Sequence, residues 1–320
     1  MSSAVAMVSP KGAQHYSFVV SGGGERLDKF LSERLPELSR GRIQELIRCG
    51  LVLVNRRQAK PAARLKGGDE VSIVVPAAAD EVGLEPVPGP LEVLYESADV
   101  VAVNKPAGMA VHPGAGTTGP TLVNFALHAY PEIRAVGSPL RPGVVHRLDK
   151  GTSGVVLLAR SPRGYESLRR QFEARAVRKV YIALVVGRLE PAKGIIDAPV
   201  GRHPEERTRR AIVRLCGRMA RTEYEVKEYS CGYTLVRACP ITGRTHQIRV
   251  HFAAVGHPIA GDPVYGRGAF DLGLSRQFLH AKAVTFVDPG KEEEVTVCSP
   301  LAEDLQVAWR SLAGAHAREQ

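Results

Sequence analysis

Aromatic residues make up only 6% of the 320-residue chain, with a single tryptophan, and no apolar run approaches the ~18 residues a membrane-spanning helix needs. A helical membrane protein is therefore excluded. The opening MSSAVAMVSPKGAQHY has no basic segment followed by an apolar core, so it is not expected to be a secretory signal. The five cysteines, Cys49, Cys216, Cys231, Cys239 and Cys298, are odd in number and form no C-x-x-C pair. That fits neither a disulfide framework nor a zinc site, and it points to a reducing, cytoplasmic location. His146 is near Asp149 in sequence, but no histidine pair with metal-ligand spacing joins them, and HQIRVH lacks the glutamate of a zinc-binding helix, so no metal is expected. No fixed-period repeat is present, which excludes solenoids and propellers. A composition 44% hydrophobic and 24% charged excludes disorder as the main state.

What the chain has in excess is positive charge. Lysine plus arginine outnumber aspartate plus glutamate 43 to 33, a formal charge of +10. That balance suits a protein facing a polyanion, with nucleic acid the leading partner and a merely basic soluble enzyme the alternative. The length predicts a sizeable core plus a smaller module.

Residues 1–15 carry no useful periodicity and are expected to be a flexible N-terminus, and AAADEVGLEPVPGP at 77–90 reads as a linker. Between them, 16–76 holds two short helices and several short strands. In the second helix Ser39 is a plausible N-cap, Ile43, Leu46 and Ile47 recur at helical spacing, and Gly50 can end it, leaving Arg40, Arg42 and Arg48 for solvent. LVLV at 51–54 reads as a strand turned by NRR, with EVSIVV at 70–75 as a later partner. This unit resembles the S4 RNA-binding module, which implies a basic helix and hairpin presented to RNA. Arg56, Arg57, Lys60, Arg64 and Lys66 add a second basic segment. Arg40, Arg42, Arg48, Arg56, Arg57 and Lys60 are the RNA-contact candidates here; an ordinary solvated charged face is the alternative.

Beyond the linker, short strands and helices alternate over 91–310: VVAVNK at 100–105, LVNFALHAY at 122–130, GVVLLAR at 154–160 and ESLRRQF at 166–172, with a tail at 311–320. RKVYIALVVGRL at 178–189 is apolar on both faces and reads as a central strand. GAGTTG at 114–119 satisfies G-x-G-x-x-G, but Pro113 and Pro120 flank it and residues 135–145 contain no acid for a ribose. It is read as a surface loop, and no cofactor is expected.

HRLDKGTSG at 146–154 sets one carboxylate, Asp149, between Arg147 and Lys150. Nearby cations favour the ionised form of a carboxylate, which can act as nucleophile or base. No second acid sits in a comparable motif, as a glycosidase would need, and GTSG is not a hydrolase elbow. Taken alone, a tight turn with Asp149 in a surface ion pair is the favoured account.

GVVHRLDKGTSGVVLLA resembles the catalytic motif of the pseudouridine synthases of the RluA family. NKPAGMAVHPG at 104–114, RKVYIALV at 178–185 and ITGRTHQIRVHFAAVGHPIAGDPVYG at 241–266 resemble its other motifs, in the same order, and the combination most resembles the RluD subgroup. The resemblance implies an α+β fold: a mixed, mainly antiparallel catalytic sheet preceded by the small α/β S4-like module. It implies an isomerase that detaches uracil from a uridine of large-subunit ribosomal RNA, turns it and rejoins it through C5. Asp149 is then the nucleophile, by attack on the sugar, on C6, or on the C2′ proton. Arg147 takes the place of the extruded base or holds a neighbouring phosphate, unless it merely neutralises Asp149. Tyr181 stacks under the uracil and mediates loss of the C5 proton, or else is a core tyrosine. From Thr245 to Val255 the stripe Ile248, Phe252 and Val255 predicts a helix ended by Gly256, with Arg249 at its edge. The family resemblance pairs Arg249 with the catalytic aspartate. Arg244 and His146 are further RNA-contact candidates, while His246 and His251 are assigned to packing or RNA contacts. A monomer acting on RNA, away from membranes, is expected. An inactive RNA-binding assembly factor and a synthase acting on transfer RNA are the alternatives.

Overall fold

The computed structural model describes residues 14–38, 40–75, 84–114, 117–139, 141–206, 209–266 and 272–316. The expected flexible N-terminus up to residue 13, the linker up to residue 83, the tail from residue 317 and the expected N-cap Ser39 lie outside these residues. The chain divides into two units, 1–83 and 84–320.

In the first unit β1 (Gln14–Val19), β4 (Glu70–Val75), β2 (Val52–Val54) and β3 (Arg57–Gln58) form one antiparallel sheet in that order. It packs on α1 (Leu27–Arg34) and α2 (Arg40–Arg48) through Leu27, Phe30, Leu31, Ile43, Leu46, Ile47, Val52 and Ile73, all buried. The expected spacing in α2 thus faces the core, and Gly50 follows it at φ 78°. Asn55 and Arg56 both have positive φ, 51° and 61°, which gives the two-residue β2–β3 turn the twist a tight hairpin requires.

The second unit is built on a nine-stranded sheet. Its strands are β5 (Val93–Glu96), β6 (Val100–Lys105), β9 (Ser153–Ala159), β10 (Arg178–Val186), β11 (Lys193–Asp197), β14 (Arg221–Ser230), β15 (Tyr233–Pro240), β16 (Leu279–Val287) and β17 (Glu294–Cys298). The order is β11-β14-β15-β10-β16-β9-β6-β5, with β17 also on β16. Short ladders β7 (Gly137–Ser138) with β8 (Arg141–Pro142), and β12 (Val200–Arg202) with β13 (Arg210–Ile212), lie outside it. The helices are α3 (Leu122–Ala129), α4 (Pro162–Glu173), α5 (Gln247–Ala254) and α6 (Glu303–His316). The described part of the expected linker is tied to α3, where Asn124 Nδ2 donates to Glu85 O at 2.8 Å, and the expected tail is occupied by α6 as far as His316.

Every strand pairing in the large sheet is antiparallel except that of β9 with β16, which joins Ser153 to His280 and Gly154 to Ala281. This parallel seam is the place the site occupies. β10 lies between β15 and β16, with Ala183, Leu184 and Val185 fully buried, which accounts for its apolar pattern on both faces. Its pairing with β16 slips between Val180 and Tyr181, an irregularity of the kind that re-aims a side chain.

Candidate active site

HRLDKGTSG leads into β9 at the seam, and its small residues are dictated by what crowds it. At Gly154, with φ 112°, a Cβ would lie 2.2 Å from Ala281 O, so only glycine lets β9 and β16 approach. At Gly151 a Cβ would meet Gln277 Oε1 at 2.6 Å. Thr152 Oγ1 accepts from Gln277 Nε2 at 3.0 Å, and Ser153 Oγ bonds His280 Nδ1 at 3.0 Å. Arg276, gripped by Asp304 at 2.6 and 2.7 Å, donates to Gly151 O at 3.1 Å and to Ser153 Oγ at 3.2 Å. Lys150 O accepts from Gly108 N at 2.8 Å and from Lys105 Nζ at 3.3 Å, and Thr152 N donates to Asp149 O at 3.0 Å. The turn that presents Asp149 is therefore held from three sides.

Lys105 is fully buried, and its ammonium also donates to Pro106 O at 2.7 Å and Met109 O at 2.9 Å. Burial, with Arg276 adding to it and Asp149 opposing, pulls it down to about 7, while its three carbonyl acceptors favour the charged form. It welds the 105–109 loop to the Asp149 turn.

Asp149 finds its partner 100 residues away. Arg249 Nη1 donates to Asp149 Oδ2 at 3.1 Å, and among the described residues neither Arg147 nor Lys150 is paired with it. The sequence-local ion pair is thus replaced by a long-range one. Arg249 is 4% exposed and is itself clamped by Asp262, through Nε at 2.7 Å and Nη2 at 2.8 Å. Asp262 Oδ1 also accepts from the backbone of Val264 and Tyr265. Burial opposes the charge on Arg249, but the hydrogen bonds and charge of Asp262, with Asp149, hold its pKa above the ordinary value.

The helix carrying Arg249 is shorter than the spacing predicts. His246 is left-handed, φ 58° and ψ 17°, so α5 starts at Gln247, and Val255 is the C-terminal cap and 45% exposed. Arg249 is not at an apolar stripe's edge, because residues 247–252 are all buried. A helix enclosed on every side has little periodic contrast to read. Its polar members are satisfied: Gln247 bonds Arg221 O and Thr222 Oγ1, and His251 bonds Thr222 Oγ1 and Ala198 O. His246 Nδ1 meets Tyr265 Oη at 2.9 Å, and its Nε2 lies 3.8 Å from Asp149 Oδ2.

Asp149, His246, Gln247 and Arg249 line a cavity of about 580 Å³ whose wall also includes Arg147, Tyr181, Phe172, Lys179, Arg218 and Arg244. Burial, with the Asp149 charge second, pushes the Tyr181 phenol well above its usual range, so it is a protonated ring at neutral pH. Arg147 is exposed. Arg244 is half-buried, and its guanidinium is disfavoured by burial and by the repulsion of Arg218 and Arg175. Among the described residues Arg175, Arg218 and Arg244 have no acidic partner. Burial alone draws Lys179 down to about 8. His146 is less available than its assignment implies: its Nε2 accepts from Leu157 N at 2.8 Å and its ring stacks on Phe172.

In the first unit Arg40 is exposed yet tethered: it donates to the fully buried Asp28 at 3.1 Å, as do Arg26 and Gln44. A buried carboxylate needs such partners. Arg42 is half-buried and also partnered, whereas Arg48, Arg56, Arg57 and Lys60 are exposed. Within GAGTTG, residues 115 and 116 lie outside the described residues, and the rest carries neither strand nor helix.

His112 and His280, both buried, and the half-buried His146 give the second unit a pH signature. Burial lowers His112 to about 4, with Arg141 and Arg147 adding to it, His146 to about 3, with Lys179 adding, and His280 to about 4, with Lys282 and Arg276 adding. An unfolded histidine titrates near 6.5, so the unfolded state binds more protons below that value. Stability from these groups is complete above about pH 6.5 and is lost as pH falls toward 4. Urea midpoints are expected to fall between pH 7 and 4.5; a flat profile there would contradict it.

The RNA pseudouridylate synthase family model matches residues 99–254 and the S4 domain model residues 25–71. A Chloroflexus aurantiacus chain described as an uncharacterized RNA pseudouridine synthase is 46% identical over 299 residues, 90% of either chain. The ribosomal large subunit pseudouridine synthase D of Xanthomonas campestris is 42% identical over 310 residues, covering 93% of this chain and 92% of the relative. The structure of human RNA pseudouridylate synthase domain containing 1 superposes with a TM-score of 0.55 at 30% identity, over 67% of this chain and 86% of that one.

Proposed function

This chain belongs to the RNA pseudouridylate synthase family, and from that premise we propose that it isomerises uridines of large-subunit ribosomal RNA with Asp149 as the catalytic carboxylate. The observation that carries the reading is the buried Arg249 holding Asp149 Oδ2 at the floor of a cation-rimmed cavity, while Oδ1 has no partner among the described residues. One oxygen is fixed and the other is left to a substrate.

In the reaction the C1′–N1 bond breaks with its electron pair going to uracil. The base turns, C5 bonds C1′, the C5 proton is lost and N1 is protonated. No electrons are gained or lost overall. Asp149 serves by attack on the sugar or on C6, or by taking the C2′ proton. Tyr181 offers a flat, uncharged platform beneath the ring. Arg147, exposed at the rim, fills the space of the extruded base. Arg175, Arg218 and Arg244, a cationic group with no acid of its own, receive backbone phosphates, and Arg48, Arg56, Arg57 and Lys60 add contacts from the S4 unit. Arg40, Arg42 and His146 are already engaged within the fold and contribute less.

Large-subunit RNA is supported by the printed name of the Xanthomonas relative. The presence of Asp149, Tyr181 and Arg249 in one cavity favours an active enzyme over an inactive assembly factor. We take the protein to be a cytoplasmic monomer; five cysteines without a C-x-x-C pair are in keeping with that compartment. Carbodiimide mapping of unmodified ribosomal and transfer RNA after incubation tests the reading. New pseudouridines in large-subunit RNA are expected; sites in transfer RNA alone would overturn the substrate, and no sites at all the activity.

Glutamine at Arg175, Arg218 or Arg244 is expected to weaken RNA binding and to reduce the slope of log affinity against log salt by about 1 for each phosphate no longer neutralised. Titrations between about 50 and 200 mM salt check this. An unchanged slope in all three variants would remove the phosphate assignment.

A further inference from the structure

His246 stands in the cavity wall beside the carboxylate, yet the arrangement of its ring is set from behind. Tyr265 Oη accepts from Arg210 N at 2.9 Å and meets His246 Nδ1 at 2.9 Å. The phenol already accepts from Arg210 N and has one proton to give, and among the described residues His246 Nδ1 is the acceptor within its reach, so donation there satisfies both groups. From this network we assign the tautomer with the proton on Nε2, the nitrogen facing Asp149. The Nε2 to Asp149 Oδ2 distance of 3.8 Å is too long for a hydrogen bond, and among the described residues Nε2 has no closer acceptor. The backbone supports this placement at a cost: a non-glycine residue at φ 58° is uncommon, and it persists where surrounding contacts over-determine it. The side chain is 19% exposed, all that a donor facing a bound base requires. Arg249, Asp262 and Arg210 are the other charged groups near the ring, and burial, the largest influence on it, favours the neutral form.

We propose that His246 Nε2–H is a catalytic hydrogen-bond donor to a carbonyl oxygen of the departing uracil. When the C1′–N1 electron pair leaves with the base, its negative charge spreads from N1 onto O2 and O4, and a neutral donor already in place stabilises it without reorganisation. The symmetry of uracil makes a single donor sufficient. A half-turn about the axis through N3 and C6 exchanges N1 with C5 and O2 with O4. The donor that meets O2 before the turn therefore meets O4 after it, and both bond-breaking and bond-making orientations are held by one group. Tyr265 is the positioning residue that keeps the proton on Nε2.

This inference rests on the proposed activity, and wild-type turnover of an all-oxygen RNA tests that activity separately: without it the reading of the site falls. Given turnover, single-turnover rates are compared for wild type, His246→Ala and His246→Gln on RNA carrying uridine, 2-thiouridine or 4-thiouridine at the target. His246→Ala is expected to lower the rate about 10²-fold with little change in KM, as for removal of one preorganised donor. Glutamine, whose Nε2 can reach the same place, is expected to recover most of it. Sulfur is a poor acceptor, so the lead of wild type over His246→Ala is expected to shrink at least tenfold on one or both thio substrates. A lead that is unchanged on both thio RNAs, or equal losses for alanine and glutamine, would overturn the proposal.

Discussion

Asp149→Ala is expected to reduce pseudouridine formation by on the order of 10⁴-fold or more while leaving RNA binding and fold intact. The separation follows from the geometry. Arg249 keeps both of its Asp262 bonds when Asp149 is shortened, so no buried charge is stranded. Asp149 is 17% exposed at the cavity floor, and water can reach the Nη1 that it releases. The loss of one charge-assisted hydrogen bond there costs about 1–3 kcal/mol at most. On the proposed reading affinity comes from the rim arginines and the S4 unit, which the substitution does not touch. Carbodiimide mapping, filter binding and a urea melt on one preparation make the comparison. An Asp149→Ala protein that still modified RNA at more than a hundredth of the wild-type rate would show that the carboxylate is not the essential group. One that lost binding and activity together would make Asp149 an element of the RNA surface instead.

The features that the sequence discloses are apolar runs of strand length and helices in which one face differs from the other. VVAVNK is β6, and RKVYIALVV lies in the middle of the sheet because its two apolar faces leave it no solvent side. In α2 the spacing of Ile43, Leu46 and Ile47 matches the buried face. Where a helix is buried on every side, its periodicity loses contrast. α5 is enclosed on all sides, so its stripe misplaces both Val255 and the orientation of Arg249. The pairing of Arg249 with Asp149 follows from the family resemblance, since no local pattern relates residues so far apart. Asp262 and Lys105 lie within the recognisable motifs, yet nothing in their spacing assigns them a role. Asp262 sits between Gly261 and Gly266, where a Cβ would meet Arg276 O at 2.4 Å and Asp262 O at 2.8 Å respectively. Those glycines are the one sign in the sequence that this acid is held in a crowded turn. Lys105 gives a weaker sign, a lysine closing an apolar strand just before Pro106. The role of His246 depends on a left-handed backbone and a tyrosine 19 residues on, neither of which periodicity reveals.

Arg249 is the point where stability and chemistry cannot be separated by a single substitution, and a pair of substitutions is expected to part them. Arg249→Met leaves Asp262, fully buried, with two backbone donors and an unbalanced charge, and it frees Asp149 as well. Removing one partner of a buried pair costs about 3–5 kcal/mol, so the unfolding midpoint is expected to drop sharply and activity to collapse. Adding Asp262→Asn removes the stranded charge while its amide oxygen still accepts from Val264 and Tyr265. The double variant is therefore expected to regain much of the lost stability, as buried pairs replaced together often do. Activity is expected to stay low, because nothing in the double variant holds Asp149 Oδ2. Arg249→Lys supplies the control: an ammonium cannot reproduce the two-pronged grip on Asp262 and reach Asp149 as well, so it is expected to fold less stably and turn over slowly. Urea melts and single-turnover rates on the four proteins decide it. If activity returned with stability in the double variant, Arg249 would be a structural strut, and the ordering of Asp149 would have to come from the Lys105 and Arg276 side of its turn.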